Sequence, residues 1–236
     1  MGKLRPQSLL LAVLCTLPAL AASPDGKVPI TAASERARAL FLEGRALTEA
    51  LRGTDAHKKF EEAIAADPGF ALAYLFAANT SGSTKEFFAD LAKAVALKDK
   101  VSDGERLAIE AAQAGATSEP DKQVAAMTKI TELYPQDDRA LANLGNFYFG
   151  QQDWANTITY LKRATEVNPG FSLPYNQLGY AYRFQGRYPE AEATFKKYTE
   201  LVPSDPNPYD SYAELLMKMG RFEDSIANYK KALAID

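Results

Sequence analysis

Cysteine, histidine and tryptophan each occur once in this chain, as Cys15, His57 and Trp154. With one imidazole, and with its only thiol in an apolar N-terminal stretch, the chain cannot assemble a Cys–His pair or a Cys/His metal cluster. His57 stands beside Lys58 and Lys59 and reads as a solvated or half-packed helix residue. No glycine-rich phosphate loop is present, since Gly82, Gly104 and Gly115 are single turn residues. Carboxylate pairs such as Glu61-Glu62 read as outward charges on a helix. Positive charge is also scarce: 27 Lys and Arg against 30 Asp and Glu leave a formal charge of −3, without the electrostatic footprint of a nucleic-acid binder. The longest apolar run, Leu9 to Leu20, falls short of the roughly 20 residues that a membrane span needs. The expectation is therefore a protein that is not an enzyme and has no cofactor, metal or nucleic-acid partner.

What is present is a period. Pro135, Pro169 and Pro203 are spaced by 34 residues, and Pro68 precedes Pro135 by 67, two periods less one. Whole columns follow in register. Leu144-Gly145 becomes Leu178-Gly179 and then Tyr212-Ala213; Trp154 becomes Tyr188 and then Phe222; Leu161 becomes Phe195 and then Tyr229. Asp67-Pro68-Gly69-Phe70 is matched by Asn168-Pro169-Gly170-Phe171. Each period reads as two helices. Tyr175, Leu178 and Tyr182 share one face of a first helix, Gly186 breaks it, and Ala191, Phe195 and Tyr198 share a face of a second. Pro189 suits that helix's first turn and Pro203 ends it. Small Gly179 lets the paired helices approach closely. A fixed period of this length marks units that bury their apolar faces by stacking.

The aromatic, Leu-Gly, Tyr, Ala, Phe, Ala and Pro columns over 34 residues resemble the tetratricopeptide repeat family. The match is strong in the units near Asp138, Ser172 and Pro206, recognisable from Ala37 through Gly44, Phe60, Ala63 and Pro68, and degenerate between Ala71 and Pro135. Two units are still read there, because Ser83 to Glu86 and Ser102 to Glu105 have capping-box spacing and Ser118 before Pro120 reads as another helix start. The expected fold is all-α, a right-handed α-solenoid of antiparallel helix pairs. Its units are 37–70, 71–103, 104–137, 138–171, 172–205 and an incomplete 206–236.

The resemblance implies a concave groove lined by the first helix of each pair. Carried over by position, its residues are Phe41 and Arg45, Leu75 and Asn79, then Asn143, Asn146 and Phe149, then Asn176, Gln177, Tyr180 and Arg183, and last Asp210, Ser211 and Glu214. Asn and Gln can clasp a peptide backbone through donor and acceptor alike, Tyr180 offers a flat anchor, and Arg183 suits a carboxylate. The lysine-based clamp of chaperone-binding family members is not matched: no lysine occupies those columns, and the pair Asp210/Glu214 is acidic.

At the N-terminus, Lys3 and Arg5, the apolar run and Ala19-Leu20-Ala21 read as a secretory signal peptide, 1–21, followed by a flexible leader, 22–33. Cleavage removes Cys15, Lys3 and Arg5 and takes the formal charge to −5. The mature chain is expected to be periplasmic or extracellular, without membrane insertion, and its composition fits a bacterial exported protein. The last unit carries no polar capping helix. The leading expectation is a scaffold that binds an extended peptide or protein in the groove. The alternatives are the N-terminal adaptor portion of a longer exported enzyme or transport component continuing past residue 236, and self-association through the uncapped last repeat.

Overall fold

The computed structural model describes residues 25–235. The expected signal peptide lies outside them. Six helix pairs follow one another: α1 (Glu35–Glu49) with α2 (Gly53–Ala66), α3 (Ala71–Thr80) with α4 (Thr84–Leu97), α5 (Asp103–Ala116) with α6 (Pro120–Leu133), α7 (Asp138–Gly150) with α8 (Trp154–Val167), α9 (Leu173–Phe184) with α10 (Tyr188–Leu201), and α11 (Pro206–Lys218) with α12 (Phe222–Ile235). Each pair packs on itself, and its second helix packs on the first helix of the next pair. The odd-numbered helices also touch along the array, α3 with α5, α7 with α9 and α9 with α11, and so form its inner layer. The architecture is an all-α solenoid.

Close approach within a pair is set by small residues facing large ones. A Cβ added to Gly44 would sit 2.7 Å from the Phe60 ring, one on Gly179 2.7 Å from the Phe195 ring, and one on Gly145 2.5 Å from Leu161 Cδ2. These columns are therefore steric requirements of the pairing. The tyrosine and proline columns are coupled as well. The Tyr175 hydroxyl donates to the Pro169 carbonyl at 3.1 Å, and Tyr209 donates to Pro203 at 3.2 Å, one period later.

The turn inside five of the six pairs uses a left-handed residue. Gly186 and Gly220 supply it at φ 70° and 75°, and Leu51, Ser118 and Gln152 adopt φ 58° at the corresponding place. This corrects the reading of Ser118 as a helix start. Its backbone closes α5, and α6 begins at Pro120 behind Glu119, with no side-chain cap. The other two starts are capped. Ser83 accepts from the Glu86 amide, and Ser102 and Glu105 form a reciprocal capping box.

The apolar interior divides at α6. One cluster gathers Phe41, Phe60, Phe70, Leu75 and Ile109 from the first three pairs, and the other gathers Leu141, Leu161, Phe171, Phe195 and Leu215 from the last three. What spans the division is the segment expected to be a flexible leader. Its described residues, 25–33, run as an extended strap across the starts of the inner helices. The Gly26 carbonyl accepts from the Gln136 amide, and Lys27 Nζ donates to Asp138 Oδ1 at 3.0 Å. The Val28 amide donates to Asp137 Oδ2 at 2.9 Å, the Thr31 amide to Glu105 Oε1 at 2.7 Å and the Ala33 amide to Asp67 Oδ2 at 2.7 Å. Val28 also packs where a Cβ on Gly104 would stand, beside Tyr134. The leader is held because each joint offers it a fixed carboxylate. Composition and turn residues alone do not reveal such partners.

Glu105 is the most committed of these carboxylates. It is fully buried and accepts from the amide and hydroxyl of both Thr31 and Ser102. Its position in the first turn of α5 adds the favourable helix dipole. Glu105→Ala would strand these buried donors, at a cost of about 3 kcal/mol. Urea unfolding should show this loss of stability, and Glu105→Gln should recover part of it. A midpoint unchanged in the alanine variant would show that the strap does not hold the joint.

Candidate functional site

The inner layer carries a cleft of about 410 Å³ between α1, α3, α5, α6 and α7. Leu75, Phe76, Met127 and Ile130 give it apolar walls, and Thr48, Asn79, Thr80, Gln123 and Asn143 place polar atoms along it. Three of the groove positions expected from the repeat pattern line this cleft, Leu75 buried and Asn79 and Asn143 exposed. Asn146, one turn beyond Asn143, is exposed as well. Ala108, Ala111 and Ala112 of the third pair line the cleft with small side chains, Ala112 standing where the neighbouring pairs carry Asn79 and Asn146.

The expected groove residues of the last two pairs are placed differently. Asn176 Nδ2 donates to Asn207 Oδ1 at 3.1 Å, and Asn176 Oδ1 accepts from Ser211 Oγ at 3.1 Å. The Tyr180 hydroxyl lies 3.1 Å from Glu214 Oε2 and 3.3 Å from Ser211 Oγ. Arg183 Nη1 donates to the same Glu214 oxygen at 2.8 Å, and its guanidinium stacks on the Tyr180 and Phe184 rings. Burial pushes the Tyr180 hydroxyl above the ordinary phenol value, with the Ser211 hydrogen bond opposing and Glu214 reinforcing the shift. Asn176, Tyr180, Arg183 and Glu214 thus join α9 to α11. Ser211 is buried among them. Gln177 is half-buried, and its Oε1 has no hydrogen-bond partner. Asp210 is exposed and lines a separate opening with Pro206, Asn207, Tyr229 and Leu233. Phe41 and Leu75 belong to the core. Phe149 packs on Trp154 with ring centroids 5.4 Å apart. His57 closes the end of α3: its Nδ1 lies 3.2 Å from the Ala77 carbonyl oxygen and 3.3 Å from Thr80 Oγ1.

An ionic node that the repeat pattern does not show sits at the mouth of the inner layer. Arg139, at the start of α7, reaches Glu49 at the end of α1 through Nε at 2.8 Å and Nη2 at 2.6 Å. Its neighbour Asp138 is fully buried and accepts from Lys27 and from Asn168 Nδ2. Burial alone would raise the Asp138 carboxyl. The hydrogen bonds from Asn168 and Lys27 and the charge of Arg139 outweigh it and hold the group below its ordinary value. Arg45, one turn before Glu49 on α1, lies over the Phe41 ring at 5.9 Å. The sequence signal for this node is weak, since Glu49 and Arg139 are 90 residues apart and belong to no common column.

These features define the molecule as an α-solenoid scaffold with a cleft in its inner layer. Residues 160–193 and 207–236 each match a tetratricopeptide repeat family model. These two segments of the chain are tetratricopeptide repeats. Comparison by sequence with curated proteins gives no match. Among solved structures, the fold is similar to that of PilW, described as a widely conserved type IV pilus biogenesis factor. The likeness covers 86% of this chain and 94% of PilW at 19% identity, with a TM-score of 0.60. Two structures of MamA are also similar. One has a TM-score of 0.51 over 85% of this chain and 92% of MamA at 19% identity, and the other 0.50 over 86% and 100%, also at 19%. At these identities the likeness concerns the fold. Among the described residues no helix is long and apolar enough to cross a membrane.

The two kinds of asparagine are separable by experiment. Asn176→Ala removes two hydrogen bonds across the α9–α11 joint and should cost about 1–2 kcal/mol, whereas exposed Asn146→Ala should stay within about 0.5 kcal/mol of the parent. Denaturant unfolding of both variants measures the difference. Equal stabilities would remove Asn176 from the joint and return it to the groove.

Proposed function

We propose that the chain is a non-catalytic scaffold of the cell envelope that takes an extended segment of a partner protein into the cleft of its inner layer. The observation that carries this reading is the cleft itself, in which apolar walls lie beside the exposed amides of Asn79 and Asn143. Asn side chains bond to a peptide backbone through donor and acceptor, and a preformed cleft spares part of the ordering cost of binding. The N-terminal signal-like segment and the fold shared with a pilus biogenesis factor support export. No nucleophile and base are brought together at the cleft, which favours binding over chemistry. Random dodecapeptides displayed on phage and selected on the full chain provide the test. Selected peptides should bind the Asn143→Ala/Asn146→Ala variant about tenfold more weakly, with its helicity unchanged. Undiminished binding would place the site elsewhere.

Self-association is a second reading. The outer face of α12 leaves Phe222, Ile226 and Leu233 at 62%, 54% and 77% exposure, more apolar than the Tyr188, Glu192 and Thr199 that stand one period earlier. Such a patch marks an interaction surface. Sedimentation of the chain at rising concentration should show oligomers that Leu233→Lys abolishes. A monomer at every concentration would remove this reading.

A further inference from the structure

Arg45 differs in one respect from Arg139 and Arg183, two further half-buried arginines of the inner layer. Arg139 is paired with Glu49, and Arg183 with Glu214. Arg45 is half-buried and, among the described residues, makes no hydrogen bond or ion pair. The carboxylates nearest it are already engaged. Glu49 is taken by Arg139. Asp137 accepts from the Val28 and Ala140 amides, and Asp138 from Lys27 and Asn168. Burial and the charge of Arg139 push the Arg45 guanidinium below its ordinary value, against the pull of Glu49, Asp137 and Asp138. A cation withdrawn from water without a partner is costly, and an anion that reaches it recovers that cost.

The cleft lies beside this cation. Arg45 rests on the Phe41 ring, Phe41 meets Phe76 edge-on at 5.0 Å, and Phe76 is a wall of the cleft. Thr48, one turn after Arg45 on the same helix, lines it too. A volume of about 410 Å³ falls within the roughly 300–1,000 Å³ of ligand pockets, which is far more than a lone anion requires. We propose that the cleft receives a partner-protein segment carrying an aspartate or glutamate close to a large apolar residue. The apolar side chain fills the space between Leu75, Phe76 and Ile130, and the carboxylate pairs with Arg45. Charge complementarity argues against the chain's own N-terminus as occupant, because residues 1–24 contain no acidic residue and carry Lys3 and Arg5. The inference rests on the groove-binding reading above and adds to it the chemical class of the segment.

The same phage-displayed dodecapeptides provide the test, with the full chain compared to Arg45→Gln and Arg45→Lys. Removing an unpaired cation beside Arg139 should leave the melting temperature of Arg45→Gln at or above that of the parent. Peptides selected on the parent should be enriched in an acidic residue near Leu, Ile or Phe. Changing that acid to its amide should weaken binding to the parent about tenfold or more and leave binding to Arg45→Gln unaltered, with Arg45→Lys recovering part of the preference. Peptides lacking acidic enrichment, or bound equally by Arg45→Gln, would overturn the pairing. The groove reading would survive that result if the Asn143/Asn146 variant still bound them weakly. Free glutamate displacing the peptides at their own concentration would assign the site to a small carboxylate and overturn the peptide as occupant. Failure to select any peptide would overturn both readings.

Discussion

The structure depends on buried carboxylates at the joints between repeats. Glu105, Asp137 and Asp138 lie within the first turn of an inner helix or just before one, Asp67 is the C-cap of α2, all are buried, and all accept hydrogen bonds from the strap at 25–33. A helix start offers unsatisfied amides and a positive dipole end, which steadies an anion there. Each carboxylate therefore serves two structures. Asp137 caps α7 with one oxygen and holds Val28 with the other, and Glu105 closes its own capping box while receiving Thr31. Since the apolar core divides at α6, the strap is a covalent and hydrogen-bonded tie between the two halves, laid where the packing is thinnest.

This arrangement is a consequence of repeat degeneracy. In the regular pairs, Gly145 beneath Leu161 and Gly179 beneath Phe195 bring the two helices together, and the next pair continues the same pattern. In the third pair that position is Ala111, and the neighbouring inner positions are Ala108 and Ala112. At Ala112, where the neighbouring pairs carry Asn79 and Asn146, the small side chain opens the cleft. The strap and the Glu49–Arg139 ion pair supply by polar contact what the aromatic columns supply elsewhere.

The fold was legible in the sequence wherever it rests on local periodicity. Gly179 opposite Phe195, Gly186 in the turn and Pro189 in the first turn of a second helix are each dictated by contacts within one unit. Ser118 does not read as a turn because three of the turns use a left-handed Leu, Ser or Gln where two others use a left-handed glycine, so their shape is set by the pair and not by residue type. The strap escaped notice for a different reason. Its carboxylate partners at the joints lie between 34 and 111 residues away, and no spacing in the chain encodes them. For the groove, column position identified which helix face is turned inward but not whether a side chain there is already satisfied. Asn146 and Tyr180 occupy equivalent columns one period apart. One is exposed and the other is bonded to Ser211 and Glu214.

The same distinction decides which charge on the inner layer is available. Arg183 was the residue that column position and chemistry favoured for a carboxylate, and it already has one in Glu214, with its plane covered by Tyr180 and Phe184. Displacing Glu214 would expose that carboxylate at a joint, so an incoming anion gains little there beyond what it must break. At Arg45 there is nothing to displace. The fold repeatedly places an acidic group against a cation drawn from another repeat, Glu49 on Arg139, Glu214 on Arg183 and Glu192 on Arg221. At Arg45 it supplies the cation, the aromatic support and the adjoining cleft, and leaves the carboxylate to come from another chain.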